Sequence, residues 1–399
     1  MHIVITGTGF GFPDGTGATS RVLALAKGLA ENGATVEVFM PKPSENERSG
    51  ERNANLKGTY EGIRFEYTCG QRLASRTRWG ALFLYLKGLW RACRAIHKSH
   101  RIAKVDAILL WYPENLISFF VFRALATLIG ASLIAEKCEF PFVYSHKTIR
   151  VRATMWFNDH VTYRMLDGVI VISEYLWDFF SARVSAKAKL IHVPILVDMG
   201  EFDIVADNLD RVDKRIMYCG NLDNEGEVKT LLQSFALVAG HFPKWMLHVI
   251  GDVRDEAQNS ELTQLIVNIG LHGRVVLLGH HPRREIPRLL VNGDIMALPR
   301  ADGVFSRAGF PTKVGEYLAT GKPVVVTRIG EVDRYLEDHI NAYLVPPGNI
   351  RAFADALQCV MANPEEAQEV GQRGREVAQR AFSCQTHGKR IIEYIRALR

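Results

Sequence analysis

The chain has 399 residues, of which 47% are hydrophobic and 23% charged, and its formal net charge is +6. This length exceeds what one hydrophobic core normally organises, so we expect two packed domains, and the composition excludes a disordered chain. The six cysteines are widely spaced and show no metal-ligand spacing. They argue against a zinc site and a disulfide framework, and they favour a reducing cytoplasm.

Strand-like and helix-like runs alternate through the first half of the chain. The start, from Met1 to Thr6, has the pattern of a strand and lacks the features of a signal peptide. The first helix is the clearest, because Val22, Leu25 and Leu29 recur at helical spacing ahead of a stop at Gly33. The predicted strands are residues 2–6, 35–40, 63–67, 106–112, 132–136 and 169–173.

Two further stretches of the first half need separate interpretation. Residues 41–58 are polar and predict a surface loop. Residues 117–135 are apolar, but Arg123 and Gly130 interrupt a run that would need about 20 apolar residues to span a bilayer. This pattern favours a buried helix followed by a strand.

The second half repeats the plan, with short, buried strands predicted at residues 215–219, 246–250, 274–278, 294–298, 323–327 and 342–345. Helical patterns, such as those at residues 230–239 and 313–319, lie between them. This alternation predicts an α/β fold with two doubly wound parallel sheets. The polar stretch 198–214 is the best linker, which gives domains of residues 1–197 and 198–384. We expect a last helix within residues 385–399 to pack back on the first domain.

The loop after the first predicted strand is rich in glycine and includes Gly15, Thr16 and Gly17. Glycines let backbone amides approach an anion at the start of the following helix. The spacing GxGxG is not that of a dinucleotide site, and no acidic residue ends the second strand, which disfavours NAD. A phosphate or acceptor loop and a simple tight turn both remain open.

The most informative segment is residues 309–327, GFPTKVGEYLATGKPVVVT, which reads as a loop, a short helix, a glycine stop and a buried strand. Lys313 and Glu316 are three residues apart, so they share one face at the start of the helix. A cation beside unpaired backbone amides favours binding of a diphosphate. A carboxylate one turn further along the helix can accept hydrogen bonds from sugar hydroxyls. An ordinary Lys/Glu pair explains the spacing equally well.

This segment resembles the donor-binding motif of glycosyltransferase family 4. Residues 218–222 resemble the turn that opens the second domain of that family, and residues 248–251 and 277–279 follow at similar intervals. In the first half, residues 14–29 and 33–38 resemble the opening loop, helix and second strand of the family. The likeness spans nearly the whole chain, and it is strong over residues 218–347 and weak over residues 41–140.

The resemblance implies a GT-B fold, in which two Rossmann-like domains face each other across a cleft. It implies transfer of a sugar, with retention of configuration, from a nucleotide-diphosphate donor of the UDP or GDP type to a glycan, glycolipid or other cell-envelope acceptor. No cofactor is implied. The donor would lie mainly on the second domain, with Glu316 on the ribose, Lys313 on the diphosphate and the loop of His281 beside the base. The implied donor-binding residues are Gly220, Asn221, His281, Arg300, Gly309, Phe310, Pro311, Thr312, Lys313 and Glu316, with residues 309–311 presenting backbone amides.

The sequence departs from the pattern of the family at two donor-binding positions. Ala308 stands where the family often has a second glutamate, and Asn221 stands where an arginine usually binds the diphosphate. A lysine usual a few residues later is also missing. Loss of two charge-assisted hydrogen bonds, at roughly 1.5–3 kcal/mol each, would cost on the order of a hundredfold in donor affinity. We expect Arg300, Arg307 and Lys313 to compensate.

A third departure concerns the catalytic region. Many relatives place a histidine after the fifth strand, where this chain has Glu136 and Glu139. Glu139, or alternatively Glu136, would lie near the anomeric carbon, which makes Glu139 and Lys313 the catalytic candidates. A surface salt bridge is the competing interpretation. Because the chain has no DxD triplet, we expect cations and a helix N-terminus, and no metal, to stabilise the departing diphosphate.

Basic and aromatic residues alternate through residues 72–104. On helices they would form an apolar face with basic flanks, able to lie on the inner face of the cell membrane. A helix pair facing the core, with its basic residues in solvent, explains the pattern equally well.

Three alternatives compete with a transferase that binds a nucleotide-sugar and a glycan or lipid-linked acceptor. A phosphorylase of the same fold is disfavoured because the chain is short for that class. A degenerate protein that binds nucleotide or a partner without turnover is motivated by Ala308 and Asn221. Nucleic-acid binding has no recognised module to support it.

Overall fold

The computed structural model describes residues 1–15, 17–45, 52–111, 115–141, 149–207, 212–220, 222, 225–251 and 256–399. Within them the chain forms two compact units. One unit comprises Met1–Leu196 with Cys384–Arg399, and the other comprises Val197–Ser383. Tyr112, predicted as a strand end, lies outside the described residues, as do parts of the two expected loops, residues 46–51 and 208–211.

The first unit is built on an eight-stranded sheet with the order β3-β4-β2-β1-β5-β6-β7-β8. Its strands are β1 (His2–Gly7), β2 (Thr35–Met40), β3 (Lys57–Tyr60), β4 (Ile63–Tyr67), β5 (Ala107–Trp111), β6 (Ser132–Lys137), β7 (Gly168–Val171) and β8 (Lys189–His192). All neighbouring pairs are parallel except β3 and β4, which form an antiparallel hairpin. The central strand β1 is buried along its whole length.

The first five helices also belong to this unit. They are α1 (Gly17–Glu31), α2 (Arg78–Ile102), α3 (Leu116–Ile129), α4 (Ile149–Phe157) and α5 (Glu174–Ser181). Helix α3 ends at Gly130, whose left-handed conformation (φ 65°) breaks the helix just before β6 begins. The apolar stretch 117–135 is therefore a helix followed by a strand, as predicted, but the helix is buried on one face only, and Leu128 is 75% exposed. No helix of the described part combines the length and the apolar character needed to cross a bilayer.

The second unit contains a six-stranded parallel sheet with the order β11-β10-β9-β12-β13-β14. Its strands are β9 (Lys214–Cys219), β10 (Trp245–Ile250), β11 (Val275–Gly279), β12 (Ile295–Leu298), β13 (Val324–Thr327) and β14 (Tyr343–Val345). Its helices are α6 (Glu225–Val238), α7 (Glu256–Asn268), α8 (Ile286–Val291), α9 (Val304–Ala308), α10 (Thr312–Ala319), α11 (Val332–Tyr335), α12 (Ile350–Ala362) and α13 (Pro364–Ala381). The predicted α/β class with two parallel sheets is confirmed.

The last helix, α14 (Cys384–Ala397), packs on α1 within the first unit. The two helices cross where each carries a glycine, and a Cβ added to Gly388 would lie 2.0 Å from the carbonyl oxygen of Gly28. Ile391 and Ile395 of α14 are fully buried. The crossing is therefore close enough to exclude side chains at its centre.

Three predictions about local structure were wrong. The described part of the stretch 198–214 is not simply a linker, because Asp198 and Phe202 are buried within the second unit. The described part of the stretch 41–58 is not simply a surface loop, because Glu45 is buried and its carboxylate accepts two hydrogen bonds from Asn53. Strand β11 is not fully buried, since it forms an edge of its sheet.

Candidate functional site

Helix α10 starts at the carboxyl edge of the second sheet because it connects two parallel strands, β12 and β13. Val314, Tyr317 and Leu318 turn its apolar face inward and are fully buried. The helix ends before Gly321, whose positive φ of 69° few other residues tolerate. The loop, helix, glycine stop and strand predicted for residues 309–327 are thus confirmed.

Lys313 and Glu316 form an ion pair on the first turns of α10. The ammonium of Lys313 donates to Oε2 of Glu316 at 2.8 Å, and the Glu316 residue is only 4% exposed. Burial alone would raise the pKa of the Glu316 carboxyl, but the charges of Lys313 and Arg283 outweigh burial and lower this pKa. Burial likewise opposes the charge on Lys313, and the neighbouring Cys219 and Glu316 outweigh it, which raises the Lys313 pKa. Both side chains are therefore charged at neutral pH.

Arg283 extends this pair into a chain of alternating charges. It lies in the turn Arg283–Glu285 after β11, and its Nη2 is 4.0 Å from Oε1 of Glu316. The same nitrogen donates to Oε2 of Glu201 at 2.7 Å. Burial raises the pKa of the Glu201 carboxyl, and Arg283 opposes that effect. The carboxylate of Glu316 is thus held between two cations.

A second cluster surrounds the end of β9, beside α10. The hydroxyl of Tyr218 donates to Oε2 of Glu227 at 3.1 Å, and Nε of Arg300 lies 3.9 Å from the other carboxylate oxygen. The backbone N–H of Cys219 donates to the Tyr317 hydroxyl at 2.7 Å, which ties the end of β9 to α10. Burial raises the pKa of the Cys219 thiol, and the nearby Lys313 opposes that effect.

Some of the backbone N–H groups that were expected to bind the nucleotide-sugar already have acceptors within the protein. The N–H of Gly309 donates to the carbonyl of Phe305 at 3.0 Å, and proline has no N–H, so Gly309 and Pro311 are wrong as amide donors. The N–H of Gly220 also donates within the protein, to the carbonyl of Ile250 at 3.0 Å. The first helical turn leaves the amides of Thr312 and Lys313 without intrahelical acceptors. The ring of Phe310 is buried and stacks on Tyr335, so only its backbone can face a ligand.

The cations expected to bind phosphate already face carboxylates. Arg307 donates to both oxygens of Asp302, at 2.9 and 2.6 Å, Lys313 pairs with Glu316, and Arg300 lies near Glu227. His281 contacts Glu285 through Nδ1 at 3.0 Å. A bound diphosphate would therefore compete with local acids for these side chains. Asn221, which departs from the family pattern, lies outside the described residues.

The glycine-rich loop of the first unit is held by side chains from its own unit. Gly15 packs so closely that an added Cβ would lie 2.0 Å from the Thr19 hydroxyl, and Gly17 is the first residue of α1. Thr16 lies outside the described residues. Three loop amides donate to side-chain oxygens, namely Gly11 to Thr19, Phe12 to Tyr67 and Asp14 to Asn53. These three amides are thus occupied by the protein itself.

The two catalytic candidates at the end of β6 have different environments. Glu136 is buried and accepts a hydrogen bond from Nε of Arg21 at 2.9 Å, while Arg21 also donates to the carbonyl of Val193. Burial raises the pKa of the Glu136 carboxyl, and Arg21 opposes that effect. Glu136 therefore joins β6 to α1, and its alternative role near a substrate stays a prediction. Glu139, two residues beyond β6, is exposed, and its catalytic role stays a prediction.

Sequence reasoning missed Glu201 and Glu227, the acids that face Arg283 and Arg300. Glu201 lies in the stretch 198–214, which the sequence predicted as a linker. Glu227 lies a few residues after Asn221, in the region where the family usually has a lysine and this chain has none. Neither acid has a local spacing that signals its partner, because both partners are distant in the chain. Only the fold brings these pairs together.

Two parallel-sheet, Rossmann-like units define a GT-B fold, the architecture of one large class of glycosyltransferases. Residues 201–377, all within the second unit, match the family model described as glycosyl transferases group 1. The chain is 30% identical over 216 residues to an exopolysaccharide phosphotransferase of Streptomyces coelicolor, a match that covers 53% of this chain but only 21% of that protein.

Solved structures match over the full length. The sucrose-phosphate synthase of Thermosynechococcus elongatus has a TM-score of 0.75 and 20% identity, covering 100% of this chain and 99% of that one. Anabaena HepE in complex with UDP-glucose has a TM-score of 0.70 and 16% identity, covering 100% of both chains. At these identities the likeness to the solved structures establishes the fold alone. The family match shows that residues 201–377, less than half of the chain, are similar to glycosyl transferases group 1.

Proposed function

We propose that this protein is a retaining glycosyltransferase that moves a sugar from a nucleotide-diphosphate donor to a glycan, glycolipid or other cell-envelope acceptor. The observation that carries the proposal is the ion pair of the half-buried Lys313 with the buried Glu316 at the start of α10, inside the segment that matches the family model. Such an ion pair adds little to stability on its own. Its position at the carboxyl edge of the sheet fits ligand binding.

The donor would bind the second unit. Glu316 accepts hydrogen bonds from the ribose hydroxyls, since the adjacent cations keep it ionised. Lys313 and the first-turn amides of α10 interact with the diphosphate, aided by the helix dipole. The bond between the anomeric carbon and the diphosphate oxygen breaks, and that oxygen carries the new charge. Lys313 stabilises this charge in the transition state, so the reaction needs no metal ion and no cofactor.

The acceptor would bind the first unit, at the loops that follow β1 and β6. The loop of Gly15, Thr16 and Gly17 positions the acceptor. The acceptor hydroxyl oxygen bonds to the anomeric carbon as the bond to the diphosphate breaks, and its proton passes to the departing diphosphate oxygen. Glu139 is the carboxylate that we assign to the reacting centre. The protein works in the cytoplasm, in peripheral contact with the inner face of the cell membrane.

Calorimetry with UDP, GDP, ADP and CMP tests the donor site. We expect selective binding of one nucleotide by the wild-type protein, weakened about tenfold or more in Glu316→Ala through loss of hydrogen bonds to a charged group. Glu261→Ala, which removes an exposed acid from α7, is the matched control and should bind like wild type. Equal affinity in all three proteins would place the nucleotide elsewhere.

Turnover then separates an enzyme from a binding protein. Labelled UDP- and GDP-sugars with cell-envelope extracts should yield a labelled product that retains the anomeric configuration, also in the presence of EDTA. Nucleotide binding without transfer across the panel would favour a degenerate transferase, consistent with Ala308 and with the local acids that face the phosphate cations.

A further inference from the structure

The amino-terminal half of α2 exposes apolar side chains on the face that points away from the core. Residues at helical spacing form this stripe, which we call the α2 stripe: Trp79, Leu82, Phe83, Leu86 and Trp90, with Trp79 83% and Phe83 66% exposed. The opposite face carries the buried Tyr85, Leu89 and Ala92, which pack on the unit. A surface helix normally turns polar residues outward, so an outward apolar stripe indicates a partner.

The charge around the stripe identifies the chemistry of that partner. From residue 67 to residue 105 the sequence has no Asp or Glu, whereas it has nine basic residues: Arg72, Arg76, Arg78, Lys87, Arg91, Arg94, Lys98, Arg101 and Lys104. The guanidinium of Arg94 lies 4.6 Å from the centre of the Trp90 ring, at the end of the stripe. A second copy docked on this surface would bring like charges together, whereas anionic lipid headgroups complement them.

The stripe lies at the carboxyl edge of the first sheet. Gly88 lies against the residue that follows β2, since an added Cβ would be 2.1 Å from the carbonyl oxygen of Pro41. Because α2 leads from β4 to β5, it runs antiparallel to the strands, and its amino-terminal end lies on the side of their carboxyl ends. Trp79, near that end, therefore lies about 13 Å beyond Gly88 along the helix axis. The hydroxyl of Tyr85 donates to Asn115 at 2.8 Å, which holds α2 against the residue that caps α3.

We propose that the α2 stripe docks the first unit onto an anionic lipid bilayer. Trp79, Phe83 and Trp90 enter the interface between headgroups and acyl chains, while the flanking arginines and lysines bind headgroup phosphates. The loops after β1 and β6 lie at the same edge of the sheet and face the same membrane. This last step rests on the proposed function, since it makes a lipid-linked molecule the acceptor, whereas docking itself requires no substrate.

Sedimentation of the full-length protein with vesicles tests the docking. We expect wild type to bind vesicles that contain phosphatidylglycerol, to bind phosphatidylcholine vesicles far more weakly, and to lose binding as salt increases. Trp79→Ala/Phe83→Ala should bind at least about tenfold more weakly, because two large apolar side chains no longer insert. Leu128→Ala, which removes an equally exposed apolar residue from α3, should bind like wild type.

A charge variant separates the two parts of the surface. Arg91→Gln/Arg94→Gln should weaken binding to the anionic vesicles, whereas Lys389→Gln/Arg396→Gln, a pair of exposed basic residues on α14, should not. Failure of wild type to bind anionic vesicles at low salt would overturn the proposal. So would concentration-dependent dimerisation that Trp79→Ala/Phe83→Ala abolishes, since a second copy would then be the occupant.

Nucleotide calorimetry keeps this inference distinct from the proposed function. Trp79→Ala/Phe83→Ala should bind nucleotide like wild type, because the substitutions lie in the first unit and the donor residues in the second. Loss of vesicle binding with intact nucleotide binding supports the docking surface. Vesicle binding without nucleotide binding would leave the docking surface in place and contradict the proposed transferase.

Discussion

Arg283 affects the ionisation of Glu316 without forming its shortest contact. It lies 4.0 Å from the carboxylate and lowers the carboxyl pKa together with Lys313. In Arg283→Gln we expect this pKa to rise, so protonation of Glu316, and with it the loss of nucleotide binding, should begin at a higher pH. Calorimetric titrations across the acid range measure the shift.

Loss of Arg283 should have only a modest effect on nucleotide binding at neutral pH. At neutral pH the Arg283→Gln variant should bind nucleotide only severalfold more weakly, because Lys313 still pairs with Glu316 at 2.8 Å. Arg288→Gln, which removes a nearby exposed arginine bound to Asp207, is the control. If Arg283→Gln and wild type lose nucleotide affinity at the same acidic pH, the ionisation of Glu316 does not depend on Arg283.

His2 provides a pH-dependent contribution to stability in the first unit. Its Nε2 lies 3.0 Å from Glu37, and the hydrogen bond to this carboxylate raises the His2 pKa above the ordinary 6.5. Because the folded-state pKa is raised, the contribution is complete below pH 6.5 and is lost as pH rises through the folded-state value. The pKa of Glu37 is lowered despite its burial, so the contribution of Glu37 is lost in acid.

Denaturation of wild type and His2→Gln at several pH values tests this. We expect a difference in unfolding free energy on the order of 1 kcal/mol in mildly acidic solution that shrinks as pH rises. His272→Gln, at an exposed position of the second unit, is the control substitution. A difference that grows with pH would reverse the assigned direction.

The candidate site could be predicted only where its residues are close in sequence. Lys313 and Glu316 are three residues apart, so helical spacing alone predicts their contact. The contact of Arg283 with Glu201 depends on how the chain folds back, and no local pattern encodes it. The buried role of Glu136 likewise depends on Arg21, which α1 contributes from far earlier in the chain.

At the scale of elements, the crossing of α1 and α14 depends on two glycines. Because an added Cβ on Gly388 would lie 2.0 Å from the carbonyl oxygen of Gly28, Gly388→Ala must push the helices apart. We expect a loss of about 1–3 kcal/mol in the stability of the first unit, as for other overpacked cores. Chemical denaturation followed by fluorescence measures it.

A second alanine substitution controls for backbone entropy. Gly226 lies in α6 with no atom within 4 Å of an added Cβ, so Gly226→Ala should leave stability unchanged or raise it slightly. If Gly388→Ala is tolerated as well as Gly226→Ala, the close crossing does not limit packing in solution.

Most strands could be predicted because a central strand of a parallel sheet is a short, continuous apolar run. The two strands that the sequence did not reveal, β3 and β8, are the outermost strands of the first sheet. Both are largely exposed or half-buried, so neither needs an apolar run. The register of the strands and the return of α14 depend on tertiary packing and have no counterpart in local sequence.

At the scale of the whole molecule, two units with separate cores allow ligand effects to be assigned to one of them. A ligand stabilises the unit that binds it, by about 2.7 kcal/mol at a hundred times its Kd. If the donor site lies on the second unit, the selected nucleotide should slow hydrogen exchange around α10 and the turn Arg283–Glu285. Peptides from β1 and α1 should exchange at an unchanged rate.

Hydrogen-exchange mass spectrometry of the full-length protein, with and without nucleotide, makes this comparison in one experiment. The Glu316→Ala variant should lose the protection around α10, because the weakened complex populates the free state. Protection confined to the loop before α1 would instead place the nucleotide on the first unit. In that case Lys313 and Glu316 would be an ordinary helix-start ion pair, and the glycine-rich loop would become the anion site.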